Sequence, residues 1–252
     1  MKKDGTNLKA HSGVLGHSPQ HDLQIEEFLS QGYTIITLPN IEKLESVRDI
    51  FLGDVNKLLN IHLSDIEELR EHCQKLRMEE IEKIRSLKLR GITSELVGAM
   101  GNNLNLFSSR SIYLQRFPHL NLNVAKKTES VTVSHNEVMA GHAPNTFACW
   151  VPFHNTDDES GLYFLGQNQT MDLIKKSNNF EDVFPSDKKI SSLLPECLKV
   201  NFGQAVVFNV FVFHGAYHHN KQKARISIDF RFQDIKYPLF EKNLEYFGLF
   251  NT

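Results

Sequence analysis

The sequence has few cysteines, and their spacing suits neither cross-linking nor a thiolate-bound metal. Cys73, Cys149 and Cys197 form an odd, widely spaced set, and no C-x-x-C pair occurs. Disulfide scaffolds and zinc–thiolate sites need paired or clustered cysteines, so the pattern argues against both. We therefore expect a protein of a reducing compartment, the cytoplasm.

The sequence also lacks the features of membrane and nucleic-acid-binding proteins. No apolar run reaches the ~20 residues that span a bilayer, and the two N-terminal lysines are not followed by the apolar segment of a secretory signal. The 28 basic residues are balanced by 30 acidic ones and are not concentrated in one segment. We expect no nucleic-acid partner and no membrane, and a small molecule as the substrate.

The chain divides into a helical first part and a strand-rich second part. Residues 1–21 contain much Gly, Ser, His and Asn and are expected to form a mobile leader, followed by a single domain over 22–252. Between about 22 and 108, apolar residues recur at three- and four-residue steps, which predicts packing helices. The core is expected over about 109–235, with a C-terminal tail at 236–252.

Six segments of the second part are short and rich in β-branched and aromatic residues, with Gly, Pro, Asn and Asp between them, as strands are. They are 110–117, 130–138, 146–153, 161–166, 204–214 and 224–233. So many short strands predict a jelly roll, which leaves a cavity between its sheets. We expect an α+β protein with a mainly β core, a double-stranded β-helix of the jelly-roll or cupin type, with the N-terminal helices packed outside.

His135 and Glu137 form the one His-x-acid triplet of the sequence. On a strand, residues two apart point to the same face, so both side chains could reach one metal ion. An imidazole and a carboxylate together suit a borderline cation such as Fe(II). With 12 histidines and 30 acidic residues, however, about one such triplet is expected by chance, and the pattern alone does not predict a metal site.

His214 strengthens the case for a metal. It ends the apolar run VVFNVFVF, which predicts a buried strand, and Gly215 follows it at once. A second histidine would complete a two-histidine-one-carboxylate set, which leaves about three coordination positions open. Considered alone, His214 is better explained as a histidine at the edge of the core that bonds a backbone carbonyl.

Arg225 and Ser227 favour a carboxylate-binding site beside the metal. Arg225 comes 11 residues after His214, on the next predicted strand, and shares a strand face with Ser227. A guanidinium binds a carboxylate through two hydrogen bonds, and an arginine buried inside a barrel needs an anionic partner. The alternative is a surface arginine on an edge strand, which is the role that we expect of Arg231.

In their order along the chain, these residues resemble a known family. His-x-Glu, a distal His-Gly, Asn220 and Arg-x-Ser are similar to the motif of the Fe(II)/2-oxoglutarate oxygenases of the phytanoyl-CoA dioxygenase-like group. The stretch SHNEVMAGHAPNTFACWVPFHNTDDESGLYFL is similar to small bacterial members linked with carbohydrate and natural-product clusters. The resemblance covers about residues 110–233 and implies an enzyme that uses Fe(II), 2-oxoglutarate and O2.

The resemblance also implies roles for particular residues. They are His135, Glu137 and His214 for the metal, Arg225 with Ser227 for the C5 carboxylate of 2-oxoglutarate, and Trp150, Gln115 and Tyr113 for the co-substrate pocket. Two departures stand out. Glu137 replaces the commoner Asp, which one more methylene still allows to reach a metal. GQNQT replaces the Gly-Ser-His that many members carry after the GLYFL strand, which argues against an acyl-CoA substrate.

Other histidines and loops remain without a fixed role. His119, His142 and His154 are expected in loops near the cavity mouth, in contact with solvent or, as the alternative, with substrate. His218 and His219 follow the distal ligand at its turn. The substrate pocket is expected to be shaped by three loops, 118–129, 139–146 and 167–197.

The expected reaction is hydroxylation of a small polar metabolite, such as a sugar, a nucleotide-sugar or a natural-product intermediate, with release of succinate and CO2. A cupin-like metal enzyme that does not use 2-oxoglutarate, such as a sugar isomerase, is the first alternative, and it makes Arg225 dispensable for co-substrate binding. A non-catalytic carbohydrate-binding β-sandwich is the second, and it predicts no iron affinity. The sequence determines neither the substrate nor the oligomeric state.

Overall fold

The computed structural model describes residues 19–89, 91–108, 111–124, 134–176, 193, 195–217, 223–238 and 247–251. Its helices are α1 Pro19–Gln31, α2 Ile41–Leu59, α3 Ile66–His72, α4 Met78–Arg85, α5 Ile92–Met100 and α6 Gln167–Lys175. Two 3-10 helices, Cys73–Lys75 and Gly101–Leu106, follow α3 and α5. The strands are β1 Tyr33–Thr37, β2 Ser111–Gln115, β3 His119–Asn123, β4 Thr146–Pro152, β5 Tyr163–Phe164, β6 Gln204–Asn209, β7 His214–Gly215, β8 Arg225–Asp234 and β9 Phe247–Asn251.

Seven strands form one antiparallel sheet in the order β1-β6-β4-β8-β2-β9, with β3 also paired to β8. Strand β8 is central: β4 lies along one of its edges, and β3 and β2 follow one another along the other. Both edges of β8 are therefore paired, and side chains on both of its faces are buried. The expected combination of helices and antiparallel sheet is confirmed.

The apolar face of β8 packs against the helices. Ile226, Ile228, Phe230 and Phe232 belong to the same buried cluster as apolar residues of α2, α4 and α5. The helical stripe predicted from the sequence therefore covers this side of the large sheet. On the other face of β8, the alternate residues are polar, and most of them are buried as well.

A second, smaller sheet lies across the cavity from β8. Strands β5 and β7 pair in it, and isolated bridges add His135 beside His214 and Cys197 beside Tyr163. The segment 204–214, expected as one strand, is in fact two strands. The side chain of Asn209 accepts a hydrogen bond from the Phe211 amide at 2.9 Å, and this turn transfers the chain from the large sheet to the small one.

Other predicted boundaries shift as well. Segments 110–117, 146–153, 161–166 and 224–233 contain strands as expected. The expected loop from 118 contains β3, because residues 119–123 pair with β8. The expected tail contains β9, which pairs with β2. In the expected leader, helix α1 begins at Pro19, and residues 1–18 lie outside the described residues.

Cys73, Cys149 and Cys197 are buried free thiols. Among the described residues, no helix has the length and hydropathy that a membrane span requires.

Candidate metal centre and the cavity beside it

The structure brings His135, Glu137 and His214 together. One potential ligand atom from each lies within 4.8 Å of the others. The Glu137 Oε1 atom is 3.7 Å from His214 Nε2 and 3.9 Å from His135 Nε2. Two imidazole nitrogens and one carboxylate oxygen on one side of a cavity form a donor set suited to a divalent transition metal.

The two histidines are placed by the small sheet. The His135 amide donates to the His214 carbonyl at 3.0 Å, and the His214 amide donates back to the His135 carbonyl at 2.9 Å. This reciprocal pair sets the two ring centroids 4.4 Å apart. Ligands far apart in the sequence thus become neighbours through backbone pairing.

Glu137 is held by a turn, and the expectation that it shares a strand face with His135 is wrong. Within the described part of 130–138, only His135 makes a β-bridge, and the chain turns from Glu137 onward. The Glu137 amide donates to the Val210 carbonyl at 2.9 Å, and its carbonyl accepts from the His142 amide at 3.0 Å. The turn, and not the pleat of a strand, directs the carboxylate towards the histidines.

His214 is held as a neutral imidazole. Its Nδ1 lies 3.2 Å from the Val212 carbonyl oxygen, so Nδ1 carries the proton and Nε2 presents its lone pair towards Glu137. Burial, followed by the proximity of His135, lowers the pKa of His214 to about 3. A neutral ring with a fixed orientation is the form that binds metals.

Arg231 contacts Glu137 directly, and the expectation of a surface arginine is wrong. Its Nε donates to Glu137 Oε2 at 3.1 Å and its Nη2 to Glu137 Oε1 at 2.5 Å. Arg231 is buried on the polar face of β8, where it lines the cavity together with Arg225 and Asp229. Burial alone would raise the pKa of Glu137, but Arg231 and then His214 outweigh it and lower that pKa to about 2.

Arg225 lies on the same face of β8 and has no carboxylate partner among the described residues. The side chain is 1% exposed, and its one hydrogen bond among them runs from Nη1 to the Gly161 carbonyl at 3.3 Å. Its Nε, the Ser227 hydroxyl and the Trp150 indole nitrogen are buried without hydrogen-bond partners in the described part of the chain. Burial lowers the pKa of Arg225 to about 10, which leaves it cationic at neutral pH.

One cavity of about 240 Å³ connects these groups. The three candidate metal ligands, Arg225 and Trp150 all line it. Apolar walls come from Leu162 and Phe208, and the rest of the lining is mainly polar, from His119, Asn121, His142, Asp229 and Arg231, with Ala140. A metal ion and an anion bound at Arg225 would therefore share one space.

Two predicted pocket residues lie elsewhere. The Gln115 side chain bridges backbone groups, accepting from the Arg231 amide at 3.1 Å and donating to the Phe117 carbonyl at 2.7 Å. Neither Gln115 nor Tyr113 is among the described residues that line the cavity. Their assignment to the co-substrate stays a prediction that the geometry does not favour. Ser227 is not among the described lining residues either, although it is buried on the same face of β8 as Arg225.

The expectation that His142 and His154 contact solvent is wrong, because both are buried. The His142 Nε2 atom is 3.5 Å from Glu137 Oε2. His154 accepts a hydrogen bond from the Ile226 amide at Nε2 (3.1 Å) and donates from Nδ1 to the Asn155 carbonyl (2.8 Å), and burial lowers its pKa to about 4.

The remaining histidines differ in how far the structure locates them. His119 lies on β3, largely exposed, and its Nδ1 is 3.1 Å from Arg231 Nη1. It therefore contacts the charged groups of the cavity from the solvent side. His218 and His219, like Asn220, lie outside the described residues.

Comparison with known proteins finds similarity in structure and none in sequence. No protein-family model matches the chain, and no curated protein does. EctD from S. alaskensis, crystallised with 2-oxoglutarate and 5-hydroxyectoine, gives a TM-score of 0.58 at 11% identity, over 87% of this chain and 77% of that one. AviO1 from Streptomyces viridochromogenes Tue57 gives 0.53 at 11% identity, over 89% and 99% of the two chains.

A third solved structure is the non-heme alpha-ketoglutarate-dependent carbocyclase SnoK from nogalamycin biosynthesis. It gives a TM-score of 0.50 at 14% identity, over 88% of this chain and 86% of that one. At such identities the likeness is one of fold alone.

Proposed function

We propose that the protein is an Fe(II)- and 2-oxoglutarate-dependent oxygenase with a jelly-roll core, related to the phytanoyl-CoA dioxygenase-like group. One observation carries the proposal: a buried His–Glu–His set and a buried arginine without a carboxylate partner among the described residues face the same cavity. A metal site alone explains the first feature. A dicarboxylate that reaches from the metal to Arg225 explains both.

The residues around Arg225 fit one end of 2-oxoglutarate. The buried Nε of Arg225 and the buried hydroxyl of Ser227 are hydrogen-bond donors without partners in the described part of the chain. A bound carboxylate would accept a hydrogen bond from both groups. These hydrogen bonds would replace those that the two donors lose to water on burial. The Arg225 Cζ atom is 5.8 Å from the centroid of the Trp150 ring, and both residues line the cavity.

His135, Glu137 and His214 would hold the iron, and Arg225 with Ser227 would hold the C5 carboxylate. The bound pair supplies oxidative decarboxylation of 2-oxoglutarate by O2, coupled to oxidation of a substrate, with release of succinate and CO2. The chain's own contribution is placement. Arg225 fixes the far end of the co-substrate, and the apolar walls at Leu162 and Phe208 limit the access of water.

We further propose hydroxylation of a small polar metabolite. Charges in the cavity are balanced: Glu137 and Asp229 are anionic, and Arg225 and Arg231 are cationic. Ferrous iron and dianionic 2-oxoglutarate would add equal and opposite charges. The filled cavity would then have no net charge with which to favour a charged substrate. The hydrogen-bonding groups of Asn121, Asp229 and His119 at the cavity suit a hydroxylated substrate. The presence of 5-hydroxyectoine in the EctD structure supports a substrate of this size.

An anaerobic titration tests the proposal. Fe(II) is added to the purified protein, and then 2-oxoglutarate, while the visible spectrum is recorded. We expect the weak charge-transfer band of the chelate, and succinate release once oxygen is admitted. Iron binding without the band would favour the cupin-like alternative, and no iron binding would favour the carbohydrate-binding sandwich.

A further inference from the structure

We propose that Arg231 is a positioning residue of the metal centre, which holds Glu137 so that a single carboxylate oxygen faces the metal. The inference rests on the proposed function only in requiring that a metal binds at His135, Glu137 and His214. It adds a residue that lies outside the ligand set and the co-substrate site, and that gives the carboxylate its orientation.

The two oxygens of Glu137 have different surroundings. Oε1 is the oxygen nearest the histidine pair, 3.7 Å from His214 Nε2 and 3.9 Å from His135 Nε2. Oε1 also accepts from Arg231 Nη2 at 2.5 Å. Oε2 faces away from the histidine pair: it accepts from Arg231 Nε at 3.1 Å and lies 3.5 Å from His142 Nε2. Chelation of one ion by both oxygens would require the carboxylate to rotate and to break its two hydrogen bonds to Arg231.

Single-oxygen binding has a consequence for the open positions of the metal. A set of three protein donors, one atom from each residue, would leave about three positions of a bound metal ion open for co-substrates. A second oxygen from Glu137 would take one of them. Glutamate also has one more rotatable bond than aspartate, so its carboxylate has more orientations to restrict.

Arg231 is itself held rigidly enough to act in this way. Its Nη1 donates to Asp229 Oδ1 at 3.0 Å and lies 3.1 Å from His119 Nδ1. Its backbone amide donates to Gln115 Oε1 at 3.1 Å, within the central strand β8. Groups beyond the ligand shell orient ligands most effectively when their own geometry is fixed in this manner.

A purely structural role for Arg231 would be neutralisation of the buried Glu137 charge. Lysine in its place keeps the positive charge but loses the planar pair of donors that binds both oxygens. R231K therefore separates the two roles. R225K is the matched control, because it makes the same substitution in a buried arginine on the same face of β8.

The test is a Co(II) titration of the wild type, R231K and R225K, followed by visible absorption, which reports the coordination geometry. We expect R231K to bind Co(II) about 10-fold to 100-fold more weakly, with an altered spectrum. R225K should match the wild type. Rescue by lysine, with affinity within about twofold of the wild type and the same spectrum, would overturn the proposal. Absence of Co(II) binding by the wild type would overturn the proposed function as well.

A second measurement needs no substitution and covers the outcome in which R231K does not fold. Infrared difference spectra of wild-type protein labelled with ¹³C-glutamate are recorded on addition of Zn(II). The separation of the two carboxylate stretches is wide for single-oxygen binding and narrow for chelation. We expect the wide separation, and the narrow one would contradict the proposed role of Arg231.

Discussion

The two ends of β8 each bury an arginine side chain, and their surroundings are opposite. Near the C-terminal end, Arg231 makes two hydrogen bonds to the carboxylate of Glu137. At the N-terminal end, Arg225 makes one hydrogen bond among the described residues, to the Gly161 carbonyl. A buried charge that is paired within the chain belongs to the architecture, whereas one that is not paired costs free energy unless a ligand arrives. The contrast therefore suggests that Arg231 stabilises Glu137 and that Arg225 binds a ligand.

The largest expected effect concerns folding and tests the paired end. R231M leaves the Glu137 carboxylate buried without its cation, and we expect the free energy of unfolding to fall by about 3–5 kcal/mol. R225M, which removes a charge without a carboxylate partner, should stay within about 1 kcal/mol of the wild type. Urea unfolding of both metal-free variants at pH 7 measures this. Equal losses of unfolding free energy in the two variants would show that the two arginines contribute equally to stability.

The second effect concerns ligand binding and tests the other end. R225M should weaken binding of 2-oxoglutarate by about 3 kcal/mol, or about 100-fold, because the C5 carboxylate loses its cation. The Fe(II) affinity should not change, since Arg225 does not contact the candidate ligands. Anaerobic titration of the charge-transfer band gives both constants. A parallel loss of iron affinity would argue against separate functions for the two ends.

The third effect is a pH dependence of stability that arises at His154, near the N-terminal end of β8. His154 accepts from the Ile226 amide beside Arg225, and its pKa is about 4 in the folded protein against 6.5 as the ordinary value. As the pH falls below about 6.5, the unfolded chain binds a proton that the folded chain refuses until about 4, so stability is lost over that range. H154Q retains the bonding groups without titrating. Between pH 7 and pH 5 the wild type should lose about 2 kcal/mol more than H154Q in urea unfolding.

The smallest effect concerns Ser227. Its hydroxyl has no partner in the described part of the chain, so S227A should not lower the melting temperature of the metal-free protein. It should weaken 2-oxoglutarate binding by about 1.5 kcal/mol, or roughly tenfold, through one hydrogen bond to a charged group. A lower melting temperature with unchanged affinity would place the hydroxyl in the packing and not in the co-substrate site.

The placement of residues at the N-terminal end of β8 was predicted from the sequence better than that at its C-terminal end. Arg225 and Ser227 could be placed on one face because strand periodicity is strict. The same periodicity continues through Asp229, Arg231 and Gln233, a whole polar face on a strand that is otherwise apolar. This continuous polar face was the feature of the sequence that could have predicted Arg231 on the same face as Arg225. Arg231 is buried because the polar face of β8 lines a cavity and not the surface of the protein.

Other parts of the site depend on tertiary geometry that local pattern does not contain. Glu137 reaches the histidines through a turn whose amide bonds Val210, a residue distant in sequence. His214 changes sheets because the Asn209 side chain stabilises a turn inside an apolar run. His154 is buried because it caps a backbone amide of β8. Each depends on a long-range contact or on a single side chain within an otherwise regular pattern.

The reciprocal hydrogen bonds between His135 and His214 have a consequence for the kinetics of folding. The two residues are 79 positions apart in the chain, so their pairing closes a long loop and carries its entropic cost. A metal ion shared by the pair would behave as a reversible cross-link over that loop, binding the native chain and not the unfolded one. Unfolding would then slow as metal concentration rises, which makes the lifetime of the folded protein a function of metal supply.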